Sequence, residues 1–500
     1  MIQDTSKDTI QCTYKRGLVE QQAPTPHSNF KFVPFKKIYN DALDAIGHTP
    51  MIRLNKIPKE YGLKCEVLVK CEFVNVAGSI KDRIGVRMIV DAEKQGRLGP
   101  GKSIVEATSG NTGVGLALAC AVKGYPLYIT MPEKMSQEKQ DVLTGLGAKV
   151  IRTPTEAAWY EPESLIQVAK RMAAENPDII LLDQYSNPSN PLAHYEGTAE
   201  EILWACDDKL DAIVMSTGTG GTVTGVGRKI HERVPGCQVI AVDPYGSDLA
   251  MPPEINKTDI KSYKVEGIGY DFIPKALDRT EVDCWIKSND KDSLTMARKL
   301  MAEEGLLCGG SSGANVWGAL EWAKSQNFTE QQRIVIILPD NIRNYMTKHL
   351  NKTWMIENRL ISYDELKESD HPLAGKPLSE LNLPEIPLLN VETTTIGECL
   401  DYLRTYPAVP LQKDGKLLSV VFQKKLLIGI IDKKLNNVII YYNKIQRDLA
   451  KKVQSKDFVV VPNRLDQNQL ERIVERHEVV FIEDGEKLRY ATPLELLQIF

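Results

Sequence analysis

Lys81 is the residue of this 500-residue chain whose surroundings first indicate chemistry. It lies in the segment Gly-Ser-Ile-Lys-Asp-Arg at 78–83, between a β-like run at 67–69 and a run with helical apolar spacing that begins at Ile84. A lysine amine between a strand and a helix can form a Schiff base with an aldehyde. The segment is weak support by itself, because most lysines are solvated groups on a protein surface.

A second segment, Thr-Ser-Gly-Asn-Thr-Gly at 108–113, follows a strand-like run at 103–106 and precedes a helix of small residues at 114–121. Backbone N–H groups at the start of such a helix can bind a carboxylate. Asn111 can hydrogen-bond a phenolic oxygen. A helix cap with a tight turn explains the same residues, so this segment alone leaves both interpretations open.

A third segment, between the strand-like run 212–215 and a helical run, is rich in glycine. It comprises Gly218, Thr219, Gly220, Gly221 and Thr222. Glycines let the backbone approach a phosphate, and a helix amino terminus adds N–H donors and positive potential. Neither a Walker lysine nor a Rossmann glycine spacing with its acidic partner is present. The segment therefore predicts binding of a phosphate monoester, with a plain strand–helix turn as the alternative.

A fourth segment, Cys-Gly-Gly-Ser-Ser-Gly at 308–313, lies between two helical stretches. Ser311 can hydrogen-bond a pyridine nitrogen. A neutral hydroxyl there leaves the ring largely unprotonated, which favours expulsion of a β-substituent over prolonged carbanion chemistry. Alone, such a segment is more often a flexible turn. Together, however, a lysine, an asparagine, a phosphate-binding loop and a hydroxyl form the set of contacts that pyridoxal 5′-phosphate requires.

These segments need a scaffold that brings them together. From about residue 38 to 358, short β-branched or apolar runs alternate with longer helical stretches. The runs are 67–69, 127–130, 212–215, 239–242 and 334–338. Such alternation predicts an α/β fold with parallel strands and helices on both faces. Ligands of such sheets bind beyond the carboxyl ends of the strands.

Composition and charge limit the remaining possibilities. Hydrophobic content of 42% and charged content of 26% indicate a globular chain, and 500 residues imply at least two domains. A net charge of −4 gives no reason to expect nucleic-acid or membrane-surface binding. The polar N-terminus lacks a signal-peptide core, and no apolar run approaches membrane-spanning length. Nine scattered cysteines without a Cys-x-x-Cys pair predict reduced thiols and a cytoplasmic location.

The chain resembles the fold type II family of pyridoxal-phosphate enzymes, and within it the cystathionine β-synthases. The resemblance covers nearly all of residues 38–358. It rests on Gly-His-Thr-Pro (47–50), the segments at 78–83 and 108–113, Leu-Asp-Gln-Tyr (182–185), Asn-Pro-Leu-Ala-His-Tyr (190–195), Glu-Gly-Ile-Gly-Tyr-Asp-Phe-Ile-Pro (266–274), Glu-Gly-Leu-Leu-Cys-Gly-Gly-Ser (304–311) and Leu-Pro-Asp-Asn-Ile-Arg-Asn-Tyr-Met (338–346). Several of these motifs are shared with cysteine synthases, and the flanking regions favour the cystathionine β-synthases.

The resemblance implies a role for each matching residue. Lys81 forms the Schiff base with the cofactor and later takes the substrate α-proton. Asn111 holds the cofactor 3′-oxygen, the loop from Gly218 to Thr222 holds the phosphate, and Ser311 meets the pyridine nitrogen. The implied substrate-binding residues are Ser109, Thr112, Gln184 and Tyr185 around the substrate carboxylate, and Gly269 and Tyr270 on the side of the second substrate.

The implied reaction is a β-replacement. L-Serine loses its hydroxyl, L-homocysteine thiolate adds, and L-cystathionine and water result; L-cysteine in place of serine releases hydrogen sulfide. The resemblance also implies a homodimer. A cysteine synthase or a serine/threonine dehydratase on the same scaffold is the alternative. A haem or nucleotide sensor with a vestigial site is another, which the presence of Lys81 and of the complete phosphate loop disfavours.

Residues 1–37 show little periodicity, which predicts an irregular N-terminal arm. Animal members of the family bind haem b on such an arm through a cysteine and a histidine. Cys12 and His27 are the only residues of these types in the arm, and both side chains can be axial haem ligands. Their separation is two residues longer than in the family pattern. Arg228, on the helix after the phosphate loop, matches the family arginine that neutralises the haem thiolate.

Residues 359–380 are charged, polar and interrupted by proline and glycine, which predicts a linker. Residues 381–500 contain a weak internal repeat, in which 408–416 and 478–486 each indicate a strand that enters an Asp-Gly turn. Position and pattern resemble a tandem CBS (Bateman) module, which binds S-adenosylmethionine in some members of the family. The resemblance thus implies a catalytic domain at 38–358 followed by a regulatory module.

The ligand-binding positions of this module are changed. Such modules usually hold ribose through an Asp three residues after a Ser or Thr. Asp432 and Leu435 occupy these two positions in the first repeat. In the second repeat Thr492 is kept, but Glu495 replaces the Asp and Tyr490 stands where a small residue is expected. The changes predict a degenerate, structural or dimerising module without S-adenosylmethionine binding, with regulated binding as the alternative.

Overall fold

The computed structural model describes residues 38–108, 110–133, 137–154, 157–260 and 262–361. It also describes shorter stretches of the C-terminal part, namely 385–390, 393, 402, 405–406, 408–413, 416–422, 458–462, 479–484 and 487–491. The chain divides into two compact units, Met1–Leu350 and Asn351–Phe500. The predicted arm and most of the predicted linker lie outside the described residues.

The first unit alternates strands and helices along the chain. Its strands are β1 (Met51–Arg53), β2 (Glu66–Cys71), β3 (Ser103–Ala107), β4 (Leu127–Pro132), β5 (Lys149–Thr153), β6 (Ile179–Leu181), β7 (Ala212–Ser216), β8 (Gln238–Pro244), β9 (Cys284–Ser288) and β10 (Arg333–Leu338). Its helices are α1 (Ile57–Glu60), α2 (Lys81–Lys94), α3 (Asn111–Lys123), α4 (Gln137–Gly145), α5 (Leu165–Glu175), α6 (Ser189–Ala193), α7 (Ala199–Cys206), α8 (Gly221–Arg233), α9 (Asp290–Glu304) and α10 (Gly310–Lys324).

The larger sheet has the strand order β1-β2-β10-β7-β8-β9. All its neighbouring strands are parallel except β1 and β2, which are antiparallel. The apolar runs at 67–69, 212–215, 239–242 and 334–338 all lie in strands of this sheet, as the sequence predicts. From Ile334 to Leu338, β10 is buried at every position, which is the pattern of a parallel strand covered on both faces.

The smaller sheet has the order β5-β4-β3-β6 and is parallel throughout. The run at 127–130 lies in β4, and the strand-like run at 103–106 lies in β3. The predicted α/β class is therefore confirmed. The alternation of runs did not predict that the strands divide between two sheets, because pairing partners are set by contacts distant in the sequence.

Helices α2 and α3 cross in direct backbone contact. A Cβ atom at Gly85 would lie 2.6 Å from the carbonyl carbon of Gly115, and one at Gly115 would lie 2.6 Å from the carbonyl oxygen of Lys81. Only glycine permits this approach. The crossing fixes the first turn of α2, which carries Lys81, against the start of α3, which carries Asn111 and Thr112.

The second unit contains α11 (Lys352–Glu357) and two three-stranded sheets. The first sheet consists of β11 (Leu389–Asn390), β12 (Ala408–Lys413) and β13 (Lys416–Phe422), and the second of β14 (Phe458–Pro462), β15 (Val479–Asp484) and β16 (Lys487–Ala491). In each sheet the first strand runs parallel to the middle one, and the middle one forms an antiparallel hairpin with the third. The predicted strand before each Asp-Gly turn is confirmed.

Two findings concern the described part of the chain as a whole. No helix in it is both long and apolar enough to cross a membrane. Seven cysteines in it are free thiols, and six of these are buried.

Candidate active site

The four segments singled out from the sequence meet at one cavity of the first unit. The cavity lies beyond the carboxyl ends of β3, β7 and β10, where the chain leaves the two sheets. The predicted residues that line it are Lys81, Asn111, Thr112, Gln184, Gly218, Thr219, Gly220, Thr222, Tyr270 and Ser311. This is the edge at which parallel sheets bind their ligands.

Lys81 is the first residue of α2, and part of its side chain remains open to the cavity. The surrounding protein nevertheless removes most of its hydration. Burial lowers the pKa of the Lys81 ammonium to about 8, and the negative charge of Asp340 opposes this shift in part. The lowered pKa makes the free amine more abundant near neutral pH than it is in an ordinary lysine, and a nucleophile or a general base must be in this form.

The loop between β7 and α8 has the chemistry of an anion site. Gly220 adopts φ of +82°, and a Cβ atom there would lie 2.3 Å from the Cβ of Leu277. This position therefore requires glycine. Because Gly220 is also the cap residue of α8 and has no side chain, the first N–H groups of the helix lack a capping oxygen. They remain available as donors to an anion.

The two threonines of this loop are held by neighbouring side chains. Thr219 Oγ1 accepts a hydrogen bond of 2.9 Å from Asn190 Nδ2, and Thr222 Oγ1 lies 3.2 Å from His194 Nε2. Burial, together with the positive charges of Lys81 and Arg83, keeps the pKa of His194 well below its usual range. His194 is therefore a neutral imidazole that orients the Thr222 hydroxyl.

Thr112 and Gln184 are connected on the side of the cavity next to β3. The Thr112 hydroxyl donates to Gln184 Oε1 at 2.6 Å, and Gln184 Nε2 donates to the Ala107 carbonyl at 2.8 Å. The buried Glu106 accepts from the backbone N–H of Gln184 at 3.0 Å, and burial raises the pKa of its carboxyl to about 8. Sequence analysis missed Glu106 because its contact lies 78 residues away in the chain.

The predicted aromatic residues Tyr185 and Tyr270 meet edge to face, with ring centroids 5.4 Å apart. Tyr270 lines the cavity, and its hydroxyl lies 3.4 Å from that of Tyr185, which is buried and does not line the cavity. Gly269 does not line the cavity either; its φ of +75° and its N–H bond to the Thr217 carbonyl at 2.7 Å set the turn before Tyr270. Of these three residues, only Tyr270 reaches the cavity directly.

Ser311 lies in the first turn of α10 and faces the cavity, together with Asn315 one turn later. Asn315 is fully buried, and its Nδ2 donates to the Ile337 carbonyl at 2.7 Å. Its Oδ1 atom has no hydrogen-bond partner among the residues that the structure describes. An acceptor left open at a cavity wall fits a ligand that carries polar groups.

A charged cluster at the cavity was missed by the sequence analysis. Lys139 Nζ contacts Glu266 Oε2 at 2.6 Å, and Lys348 contacts the other carboxylate oxygen of Glu266. Burial opposes ionisation of Glu266, but the two lysine charges outweigh it and lower the pKa of the carboxyl. Glu266 was part of a quoted motif, yet nothing local marks Lys139 and Lys348 as its partners.

Several predicted residues cannot be placed at the site. Ser109, Cys12 and His27 lie outside the described residues. Arg228 lies in the middle of α8, where its guanidinium pairs with Asp278 at 2.8 Å and lies 3.7 Å from Glu281.

The described residues fit pyridoxal phosphate. The chain supplies an amine with a lowered pKa at Lys81, uncapped N–H donors at the start of α8, and an open buried acceptor at Asn315. The amine matches an aldehyde and the N–H donors match a phosphate, and pyridoxal phosphate carries both groups on one small molecule.

Comparisons with known proteins agree with this arrangement. The family described as "Pyridoxal-phosphate dependent enzyme" matches residues 42–340. A relative from Oryctolagus cuniculus named "Cystathionine beta-synthase" is 51% identical over 427 residues, which cover 85% of this chain and 77% of that protein. A relative of the same name from Dictyostelium discoideum is 47% identical, and the match covers 92% of this chain and 92% of that protein. Another from Saccharomyces cerevisiae is 39% identical, and the match covers 96% of this chain and 98% of that protein.

A solved structure is similar to part of this chain. It is described as a hydrogen sulfide-producing enzyme from Fusobacterium nucleatum, with a TM-score of 0.56 and 35% sequence identity. The match covers 62% of this chain and 98% of the other. The similarity thus extends to nearly the whole of that bacterial chain but not to the whole of the present one.

Proposed function

The chain belongs to the pyridoxal-phosphate-dependent enzymes and, among them, to the cystathionine β-synthases, and from its site we propose that it replaces the hydroxyl of L-serine with the thiolate of L-homocysteine. The products are L-cystathionine and water. The observation that carries the proposal is that the Lys81 amine and the α8 phosphate loop open into one cavity. Relatives at 46–51% identity that carry this enzyme name support the choice of substrates.

Pyridoxal phosphate, when bound, supplies a ring that withdraws electrons from the substrate Cα and so acidifies its C–H bond. Lys81 would bond to the cofactor aldehyde carbon and, as a free amine, would take the α-proton. The start of α8 with Thr219 and Thr222 would hold the phosphate. Asn111 would hold the 3′-oxygen, and Ser311 the ring nitrogen. In this proposal Thr112 and Gln184 orient the substrate carboxylate, with Ser109 and the adjacent Tyr185 in support, while Tyr270 and Gly269 shape the side of the second substrate.

Product analysis tests this proposal. The purified holoenzyme would be incubated with serine alone, with serine and homocysteine, and with serine and sulfide. We expect cystathionine only when homocysteine is present, and little pyruvate from serine alone. Efficient formation of cysteine from serine and sulfide would instead indicate a cysteine synthase, and pyruvate without cystathionine a dehydratase. Apoprotein without added cofactor is the matched control and should form none of these products.

A second activity, release of hydrogen sulfide from L-cysteine, is favoured by one specific observation. A solved structure that resembles part of this chain is described as a hydrogen sulfide-producing enzyme. The same cavity would expel a thiol from the β-carbon instead of a hydroxyl. Sulfide detection with cysteine and homocysteine as substrates tests this activity, and no release above that of the apoprotein would refute it.

We further propose that the N-terminal arm binds haem b through Cys12 and His27. The resemblance supports this, as does the place of Arg228 on α8, the helix whose amino end forms the phosphate loop. An ultraviolet–visible spectrum before and after dithionite tests it. A Soret band that shifts on reduction and changes in Cys12→Ala is expected, whereas a spectrum without that band would refute it.

The C-terminal unit is proposed to be a degenerate tandem CBS module. The common strand order of its two small sheets supports this. Tyr490 is buried, and its ring packs against Tyr406 at a centroid distance of 6.3 Å, where the family pattern expects a small residue. An aromatic ring there supports loss of S-adenosylmethionine binding. Calorimetric titration with S-adenosylmethionine should show no heat of binding, and micromolar binding would contradict the proposal.

The proposed assembly is a homodimer, and the proposed location is cytoplasmic. Family resemblance supports the first, and the free cysteines of the described residues support the second. Light scattering of the purified protein tests the assembly, because a monomer mass of 56.0 kDa would contradict it.

A further inference from the structure

We propose that Asp340 is a positioning residue of the cofactor site, which orients the Asn111 amide and places a negative charge within electrostatic range of Lys81. The inference rests on the proposed cofactor and adds a residue to which no role was assigned. Asp340 follows β10 after Pro339 and is 1% exposed. Its role arises from contacts with three segments that are far apart in the sequence.

The backbone around Asp340 joins the segments that carry two cofactor contacts. The N–H of Ile80, next to Lys81, donates to the Pro339 carbonyl at 2.8 Å. The N–H of Gly309, two residues before Ser311, donates to the Asp340 carbonyl at 2.8 Å. The carboxyl end of β10 is thus hydrogen-bonded both to the segment that carries Lys81 and to the segment that carries Ser311.

The side chain of Asp340 reaches the third segment. Its Oδ2 accepts a hydrogen bond of 2.7 Å from Asn111 Nδ2 and a further one from the Tyr345 hydroxyl. At the other end of the same amide, Asn344 Nδ2 donates to Asn111 Oδ1 at 3.2 Å. A carboxylate accepts only, so the nitrogen of Asn111 must face Asp340. One N–H of Asn111 then remains for the 3′-oxygen of the cofactor.

The charge of Asp340 acts on Lys81. Burial raises the pKa of Asp340, while the charge of Lys139 and the bonds from Tyr345 and Asn111 favour its ionised form. The negative charge in turn favours the ammonium form of Lys81, against the effect of burial. Removing the charge should therefore make the lysine easier to deprotonate.

Other charged groups at the cavity are compensated. Lys139 and Lys348 both contact Glu266, so this cluster presents paired charges. Burial keeps His194 neutral near physiological pH. In the described part of the chain, Asp340 is the carboxylate whose charge acts on Lys81.

The test uses Asp340→Asn and two measurements on the apo form of the full chain. The first is the affinity for pyridoxal phosphate, measured by fluorescence titration. We expect about tenfold weaker binding in Asp340→Asn, because the orientation of the Asn111 amide is no longer enforced. The double variant with Asn111→Ala should bind no more weakly than Asn111→Ala alone, since Asp340 acts through that side chain.

The second measurement is the pH dependence of the reaction of Lys81 with pyridoxal, trapped by borohydride and located by peptide mapping. The half-maximal pH should fall by roughly half a unit or more in Asp340→Asn, because a nearby opposite charge favours the ammonium. Damage to the fold alone would not make Lys81 more reactive at neutral pH. Tyr345→Phe keeps the Asp340 carboxyl and its contact with Asn111 and loses only one of the bonds that favour the ionised form, so the half-maximal pH should shift less than in Asp340→Asn.

Additive losses in the double variant, or a half-maximal pH that stays or rises in Asp340→Asn, would overturn the inference. If Asp340→Asn does not fold, Asn344→Ala tests the same amide from its other end. That variant should weaken cofactor binding by about threefold without a change in the pH profile, and unchanged binding would contradict the proposed orientation. Failure of the proposed function would look different, because the wild-type holoenzyme would then bind pyridoxal phosphate but form no cystathionine from serine and homocysteine.

Discussion

The first turn of α2 carries two cationic side chains with opposite surroundings, because Arg83 is buried among carboxylates and Lys81 is half-buried at the cavity. Arg83 Nε contacts Glu72 Oε2 at 2.7 Å, and Arg83 Nη1 contacts Glu201 Oε1 at 2.7 Å. Two residues earlier, Lys81 forms no ion pair with a carboxylate in the described part of the chain. Side chains two positions apart point to nearly opposite sides of a helix, so a single turn reaches both environments.

Pairing decides what each cation can do. Burial disfavours the charged form of both side chains. For Arg83 the two carboxylates outweigh burial and keep its pKa well above the usual value, whereas for Lys81 burial dominates and lowers the pKa to about 8. The fully paired Arg83 is a structural element, while the largely dehydrated Lys81, which has no ion pair in the described part of the chain, is a reactive amine.

The paired side forms a closed set, which we call the buried charge cluster: Lys70, Glu72, Arg83 and Glu201. Lys70 Nζ contacts Glu201 Oε2 at 2.6 Å and donates to the Thr49 carbonyl at 2.6 Å. Two cations and two anions balance one another, and the cluster joins β2, α2 and α7. It holds the helix that presents Lys81 to the cavity.

The largest expected effect is the loss of activity on substitution of Lys81, the residue without an ion pair in the described part of the chain. Lys81→Ala should lower the rate of cystathionine formation by about a thousandfold or more, because both the covalent contact and the base are lost. Its melting temperature should not fall, since no ion pair is broken. Lys94→Ala, at an exposed lysine at the end of the same helix, is the matched control and should keep full activity. Normal turnover by Lys81→Ala would sink the mechanism.

A substitution in the buried charge cluster should lower stability instead of activity. Arg83→Met leaves two buried carboxylates partly uncompensated, and should lower the free energy of unfolding by about 3–5 kcal/mol. Urea denaturation monitored by circular dichroism measures this loss. Lys81→Ala in the same assay provides the comparison. If Arg83→Met unfolds at the same urea concentration as the wild type, the cluster does not have the proposed structural role.

The pH dependence of kcat should distinguish Lys81, which titrates in the working range, from Arg83, which does not. The Lys81 pKa of about 8 lies below its usual value, so the free amine is scarce below pH 8 and abundant above it. If Lys81 takes the α-proton, kcat should rise from pH ~6.5 to ~8.5 and then level off. Arg83 stays charged throughout this range and adds nothing to the profile. A kcat that falls as pH rises through this range would contradict the assigned role.

The smallest effect is expected at an exposed ion pair. Lys324 and Glu321 lie 2.6 Å apart on α10, and their side chains are 46% and 38% exposed. Solvent screens such a pair, so Lys324→Ala should change the free energy of unfolding by less than about 0.5 kcal/mol. A loss as large as that of Arg83→Met would show that burial is not what distinguishes the cluster.

Much of the site was accessible from local sequence. Lys81, Asn111, the loop at 218–222 and Ser311 each follow a strand or begin a helix, and parallel strands bring such positions to one edge. The strand runs were predicted correctly for the same reason, because β-branched apolar runs mark buried strands by themselves.

What the tertiary structure alone decided is which polar groups become partners. Asp340 contacts Asn111 across 229 positions, and Arg83 contacts Glu201 across 118. No local pattern marks such pairs, because charged residues are common and most are solvated. The sequence by itself therefore determined the fold class and the reactive residues, which depend on short-range periodicity and turn chemistry. Only the packed fold determined which buried charge is neutralised and which is left reactive, because pairing in a low-dielectric interior depends on distances that folding creates.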